Sequence, residues 1–235
     1  MKKRILAAVL ALVMGATLFT GCNSSVADKS ESISALPTDN KYGLRENVED
    51  GAILQCFSWS FKTIEESLED IAMAGYSAIQ TSPINAFGNY QLGTREEFMS
   101  LCAKAETYGI KVIVDVAPNH TTPTVDAISQ DLIDAVGGME NLYHSNGLVD
   151  IKDYKDRAQC TLQAMGGLND VNTENPDFQD YFITFLNDCI ACGADGFRYD
   201  TAKHIGLADD PQDDPALPNN FWNRVTTEVD KEYVI

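Results

Sequence analysis

The stretch Gly196–His204, GFRYDTAKH, concentrates side chains that could carry nucleophilic or acid–base chemistry. Arg198 and Asp200 are two residues apart, so on a β-strand both would point to the same face. A guanidinium beside a carboxylate keeps that carboxylate ionised, as a nucleophile requires. The alternative is a buried ion pair that ties a strand to the loop after it.

A second polar group interrupts the apolar stretch VIVDVAPNH. Asp115 lies inside this expected strand, and Asn119 and His120 follow at its C-terminal end. In a barrel of parallel strands, residues at the C-terminal strand ends form the active site. The two stretches therefore predict a site at one edge of a sheet.

The elements that would position these residues alternate between strand and helix from residue 51 onward. The strand segments are continuous apolar runs, which is typical of a parallel sheet covered on both faces. This order predicts an α/β fold, either an open doubly wound sheet or a (β/α)8 TIM barrel. Thr63 and Glu66 suggest a capping box for the first helix. The interval 121–171 is too long for a plain connection and predicts a small inserted domain or an elaborated loop after the third strand.

The N-terminus differs from the rest of the chain. Residues 1–21 combine the basic MKKR with the apolar ILAAVLALVMGATLF and indicate a signal peptide. The ending TGC indicates a bacterial lipoprotein, cleaved before Cys22 and lipidated on that thiol; an ordinary secretory signal is the alternative. Residues 22–48 are polar and predict a flexible tether, and 49–235 predict one globular domain. We therefore expect an extracellular protein, anchored to the membrane by its lipid or secreted.

Charge and cysteine content exclude some functions. The formal net charge is −18, which disfavours binding to nucleic acid. Five cysteines remain after Cys22, and an odd number does not suggest a disulfide framework. Cys189 and Cys192 have CxxC spacing but lie in a helical pattern without a second metal-binding pair. We therefore expect buried free thiols.

Three ordered motifs resemble the α-amylase family of glycoside hydrolases, family 13. DVAPNH resembles the motif at the end of the third strand, GLNDVNTENP that of the inserted domain, and GFRYDTAKH that of the fourth strand. The resemblance covers residues 50–235. It implies a (β/α)8 barrel of which the chain holds the first half, about four βα units. It also implies a retaining hydrolase acting on α-1,4-glucans such as starch or maltooligosaccharides.

The resemblance assigns roles residue by residue. Asp200 matches the nucleophile that attacks the anomeric carbon, and Arg198 matches the arginine that keeps it charged. His120 matches a histidine that hydrogen-bonds the sugar in the cleavage subsite. Lys203 and His204 match residues on the leaving-group side of the cleft.

The resemblance also implies a structural calcium ion. Asn119, Asp170 and the backbone carbonyl of His204 match its ligands, and all are hard oxygen donors. Asp115 is interpreted as a structural partner of Arg198, and His144 as a surface residue of the insertion.

Two departures limit this interpretation. The glutamate general acid and the third carboxylate of the family belong to later strands, so we expect a chain truncated before the general acid. The loop containing SPINAFGNYQLGT is shorter than usual, and its sugar-stacking tyrosine has no counterpart. The alternative function is therefore a surface lipoprotein that binds glucan without cleaving it, or an inactive amylase remnant.

Overall fold

The computed structural model describes residues 40–82, 92–230 and 233–234, the last two by their backbone alone. These residues belong to one compact unit, Asp39–Ile235. The expected signal peptide, Cys22 and most of the expected tether lie outside the described residues. In the part of the chain that is described, no helix is long and apolar enough to cross a membrane.

A parallel sheet forms the centre of the fold. The strands are β1 (Ile53–Cys56), β2 (Ala78–Thr81), β3 (Lys111–Val116), β4 (His120–Thr121), β5 (Asn169–Asp170), β6 (Gly196–Tyr199) and β7 (Tyr233–Val234). Five of them pair in the order β1-β2-β3-β6-β7, and every neighbouring pair is parallel. The order follows the chain without the reversal that defines a doubly wound sheet. This arrangement favours the barrel over the open sheet.

The helices follow the strands as expected, with differences at their ends. They are α1 (Phe61–Glu66), α2 (Leu68–Met73), α3 (Arg95–Tyr108), α4 (Gln130–Ala135), α5 (Met139–Leu142), α6 (Arg157–Leu162), α7 (Pro176–Ala191) and α8 (Phe221–Thr227). The capping box expected at Thr63 and Glu66 is wrong, because Ser60 is the N-cap and accepts a hydrogen bond from the Thr63 amide. A capping box occurs instead in α3, between Thr94 and Glu97. Gly109 ends α3 with a φ of 74°, a left-handed conformation that favours glycine.

Helix α7 shows why this part of the sequence is helical. The Asn175 side chain accepts hydrogen bonds from two amides of the first turn, and Pro176 occupies the first position, where its missing N–H costs nothing. Phe178, Phe182 and Leu186 recur at helical spacing and are buried. Their burial holds α7 against the sheet.

The two faces of the sheet differ in chemistry. Val112, Val114 and Phe197 point to one face and join the main core with the helices. The other face holds a small apolar cluster of Val48, Ala78 and Ile113. It also carries a row of polar side chains at alternate strand positions: Gln55, Gln80, Asp115 and Arg198. This row includes Asp115 and Arg198, the polar residues that the sequence analysis placed inside expected strands.

The segment 121–171 folds into elements of its own. It contains α4, α5 and α6, and the antiparallel pair β4–β5 joins its two ends. Gly147 packs tightly there, because a Cβ at this position would lie 2.5 Å from the carbonyl oxygen of Asp170. That this segment is a separate small domain stays a prediction.

The described cysteines are free and buried, as expected: Cys56, Cys102, Cys160, Cys189 and Cys192. Burial raises the pKa of Cys56 to about 11 and that of Cys189 to about 12. These thiols are therefore protonated and unreactive at neutral pH.

Candidate active site

Arg198 joins two carboxylates at the C-terminal end of the sheet. Its Nη1 donates to Asp200 Oδ1 at 2.6 Å and to Asp115 Oδ2 at 3.1 Å. Asp115 and Arg198 are register partners on β3 and β6, which brings them side by side. Gln80 on β2 donates through Nε2 to Asp115 Oδ2 at 2.6 Å. The expectation that Asp115 is a partner of Arg198 is therefore confirmed, and Arg198 and Asp200 do project together.

The two carboxylates differ in exposure. Asp115 is 3% exposed, whereas the Asp200 side chain is 35% exposed. Burial raises the pKa of Asp115, although Arg198 opposes that rise. Burial also opposes the charge of Arg198, but Asp115 and Asp200 outweigh it, so the pKa of the guanidinium is raised. Arg198 is thus a fixed cation between one inaccessible carboxylate and one that a ligand can reach.

The residue after Asp200 has an unusual backbone. Thr201 has a φ of 54°, a left-handed conformation that is rare for a β-branched residue. Its Oγ1 donates to the Asp200 carbonyl at 2.7 Å. Strained residues of this kind occur often at active sites, where the surrounding structure holds them in place. β6 ends at Tyr199, so Asp200 and Thr201 form the turn that follows the strand.

His120 lies on β4, beside Asp200. It is half-buried, and its Nδ1 is a buried atom without a hydrogen-bond partner among the described residues. Burial lowers the pKa of His120, and the charge of Asp200 acts against this. His120 also lines a cavity of about 460 Å³ between segment 121–171 and α7. An uncharged imidazole with an unsatisfied nitrogen is suited to hydrogen-bonding a ligand.

The three residues expected to bind calcium do converge. Asn119 Nδ2 donates to Asp170 Oδ1 at 2.8 Å and to the His204 carbonyl at 3.1 Å. They come from the loop after β3, from β5 and from the loop after β6. Within the described residues, no group of three or more His, Cys, Asp or Glu side chains is arranged to hold a metal ion. The cluster consists instead of one carboxylate, one carbonyl and one amide.

His144 corrects an expectation, because it is not a surface residue. It is 3% exposed, and its ring nitrogens lie 2.6 Å from Asp170 Oδ2 and 2.5 Å from Glu174 Oε2. Although burial opposes protonation, these two carboxylates raise the pKa of His144 to about 9. His144 thus connects Asp170 to Glu174, a residue that sequence reasoning missed.

Lys203 and His204 differ from each other in accessibility. Lys203 is exposed, and its Nζ lies 5.7 Å from the ring centroid of Tyr154, which is itself 50% exposed. The His204 side chain is buried, and its Nδ1 lies 2.7 Å from the carbonyl oxygen of Cys160. The expectation was that His204 lies beside a sugar. In the structure its Nδ1 instead contacts a backbone carbonyl of segment 121–171. Tyr154 was missed because nothing local in the sequence places it beside Lys203.

Known proteins that are similar in sequence to this chain include two α-amylases. It is 48% identical to an α-amylase of Butyrivibrio fibrisolvens over 204 residues, covering 75% of this chain and 21% of that protein. It is 36% identical to an α-amylase of Clostridium acetobutylicum over 205 residues, covering 77% of this chain and 26% of that protein. The chain thus spans about a quarter or less of the length of these relatives. No family model matches it.

Solved structures share the fold. The chain superposes on an α-amylase of Geobacillus thermoleovorans with a TM-score of 0.61 and 20% identity, over 80% of this chain and 46% of that one. An α-amylase of Eisenia fetida gives the same TM-score and identity, over 78% of this chain and 41% of that one. The described parallel sheet is consistent with part of a TIM barrel. The sequence similarity is thus to α-amylases over part of their length, and the solved α-amylase structures show that the fold is shared.

Proposed function

We propose that the chain contributes the nucleophile side of a retaining α-glucan hydrolase of the α-amylase type. The observation that carries this proposal is the 2.6 Å bond from Arg198 to the accessible carboxylate of Asp200, at the carboxyl edge of a barrel-type sheet. In this mechanism Asp200 attacks the anomeric carbon and forms a covalent glycosyl-enzyme. Arg198 donates a hydrogen bond to Asp200 and so orients its carboxylate.

Neighbouring side chains bind the sugar by hydrogen bonds and by stacking. His120 hydrogen-bonds the sugar beside Asp200. The exposed ring of Tyr154 offers a stacking surface next to Lys203, and Lys203 donates to hydroxyl groups on the leaving-group side. A retaining reaction also needs a general acid, about 5–5.5 Å from the nucleophile. Asp115 cannot serve, because it is buried and accepts hydrogen bonds from Arg198 and Gln80.

The donor set at Asn119 fits a calcium ion. The positive end of the Asn119 amide lies between Asp170 Oδ1 and the His204 carbonyl oxygen, where a cation would contact the same two oxygens. With the amide turned over, its oxygen would replace its nitrogen beside these two oxygens and could act as a third donor to the ion. Asn119, Asp170 and the His204 carbonyl would thus hold Ca²⁺, which supplies positive charge that joins segment 121–171 to the loops after β3 and β6.

The alternative is a protein that binds glucan without cleaving it. Asp115 favours this alternative for the described residues, because its carboxylate is already hydrogen-bonded to Arg198 and Gln80. It therefore cannot serve as the second catalytic carboxylate beside Asp200. Both functions use the same aromatic and cationic surface, so binding alone does not separate them.

Turnover and binding separate the two functions. Maltopentaose affinity is measured by calorimetry, and product formation by chromatography, for the complete gene product and for its Asp200→Asn variant. Binding with turnover that Asp200→Asn abolishes supports the hydrolase. Binding without turnover supports the alternative. Turnover that survives Asp200→Asn would refute the nucleophile assignment.

The proposed location rests on the N-terminal sequence. We propose export and lipidation at Cys22, with the lipid as the membrane anchor. Mass spectrometry of the protein from cell membranes tests this, since a lipidated peptide starting at Cys22 supports it and an unmodified Cys22 contradicts it.

A further inference from the structure

We infer that Arg157 is a positioning residue that holds Lys203 and His204 in place; this inference rests on the proposed function. Arg157 is the first residue of α6, in segment 121–171, and lies 46 residues from Lys203 in the sequence. Its guanidinium donates to the backbone carbonyls of Lys203 and Ile205, the latter at 3.1 Å. These two carbonyls flank His204.

The same guanidinium also forms an ion pair with Asp210. Arg157 Nε lies 2.9 Å from both carboxylate oxygens of Asp210, and Nη2 lies 2.6 Å from Oδ2. Asp210 is 10% exposed at its side chain and accepts a further hydrogen bond from the Leu207 amide at 2.8 Å. One side chain therefore binds the loop 203–210 at three points.

The chemistry of the contact requires arginine. The guanidinium is a planar fork that serves a carboxylate and two carbonyls at once, whereas a lysine ammonium is a single point charge. The Arg157 bond lowers the pKa of Asp210 and so keeps its carboxylate charged. Hydrogen bonds that involve ionised partners are stronger than neutral ones.

We call the contacts of Arg157 with Lys203, Ile205 and Asp210 the clamp. The clamp lies beside the residues expected on the leaving-group side of the cleft. Tyr154, three residues before Arg157, meets the ammonium of Lys203. The His204 side chain meets the Cys160 carbonyl on α6. Arg157 thus fixes the backbone of Lys203 in the position from which the Lys203 ammonium contacts the Tyr154 ring. Arg157 acts on the sugar only through Lys203.

The test uses the full chain and combines hydrogen exchange with maltopentaose binding. Arg157→Ala is expected to speed amide exchange at Leu207 and Asp210 at least tenfold and to weaken maltopentaose binding about tenfold. Lys203→Ala should weaken binding similarly, and the double variant no more than the worse single one. Arg157→Lys should not restore binding. Arg95→Ala is the matched control, because it breaks another 2.6 Å arginine–aspartate pair, between α3 and α7, and should change neither readout.

The outcomes separate this inference from the proposed function. Unchanged exchange in Arg157→Ala would overturn the positioning role. Losses that multiply in the double variant would show that Arg157 does not act through Lys203. If the wild type binds no maltopentaose while Arg157→Ala speeds exchange, the proposed function fails and the clamp stands. If Arg157→Ala does not fold, Asp210→Asn removes the other end of the clamp and should speed exchange at Leu207.

Discussion

Replacing Arg198 by leucine should destabilise the fold, and the loss should depend on pH. The substitution leaves Asp115, which is 3% exposed, with Gln80 as its remaining side-chain donor. Removing one partner of a fully buried ion pair costs about 3–5 kcal/mol. The Arg198 side chain is 35% exposed, so solvent already screens part of its charge. We therefore expect a loss of about 2–3 kcal/mol in the free energy of unfolding at pH 7.

The pH dependence follows from the pKa of Asp115. Burial already raises this pKa in the folded state, and Arg198 opposes the rise. Without Arg198 the folded pKa rises further, while the unfolded value stays near about 3.9. Between the two values the folded state binds more protons, so stability falls as pH rises. The loss caused by Arg198→Leu should accordingly be smaller at pH 5 than at pH 8.

Urea unfolding followed by tryptophan fluorescence measures both effects. Trp222 is a suitable probe, because its ring centroid lies 5.3 Å from that of Tyr199 on β6. Asp115→Asn combined with Arg198→Leu should recover at least about 1 kcal/mol relative to the sum of the single losses, because no unpaired charge remains. Arg95→Leu, which breaks an exposed pair, should cost about 0–1 kcal/mol. A loss from Arg198→Leu below about 1 kcal/mol, or one equal at pH 5 and pH 8, would refute the reasoning.

Three further predictions concern other parts of the fold. Leu186→Ala should cost about 2–5 kcal/mol in urea unfolding because the side chain is fully buried, whereas exposed Met73→Ala should change stability by less than about 0.5 kcal/mol; equal effects would contradict the described core. Gly147→Ala should cost about 1–3 kcal/mol, because the new Cβ would lie 2.5 Å from a backbone carbonyl oxygen; unchanged thermal unfolding would argue against this packing. Asp210 has a lowered pKa because Arg157 donates to it, so its contribution to stability is present above about pH 3.9 and disappears as pH falls through its folded pKa. Asp210→Asn should flatten stability in that acidic window, and an unchanged pH profile would contradict the pairing.

Local pattern predicted the regular elements well, although their limits shifted. The strand at 196–199 and the helix at 176–191 follow from apolar spacing and from Pro176 near the start of the helix. The prediction for the first helix was less accurate, because the N-cap is Ser60 and not Thr63. The choice between neighbouring caps depends on where the chain enters the helix. Local sequence leaves that entry point open.

The sequence by itself determined that Arg198 and Asp200 share a face, because successive strand residues alternate between the two sides of a sheet. Only the tertiary structure decided that His144 is buried against Asp170 and Glu174, 26 and 30 residues away. The same holds for the clamp from Arg157 to Asp210, which spans 53 residues. Short-range geometry is set by the backbone, whereas a contact across tens of residues depends on how the whole chain packs. That is why the pairing of Arg198 with Asp200 was predictable from the sequence. The long-range contacts of His144 and Arg157 were not.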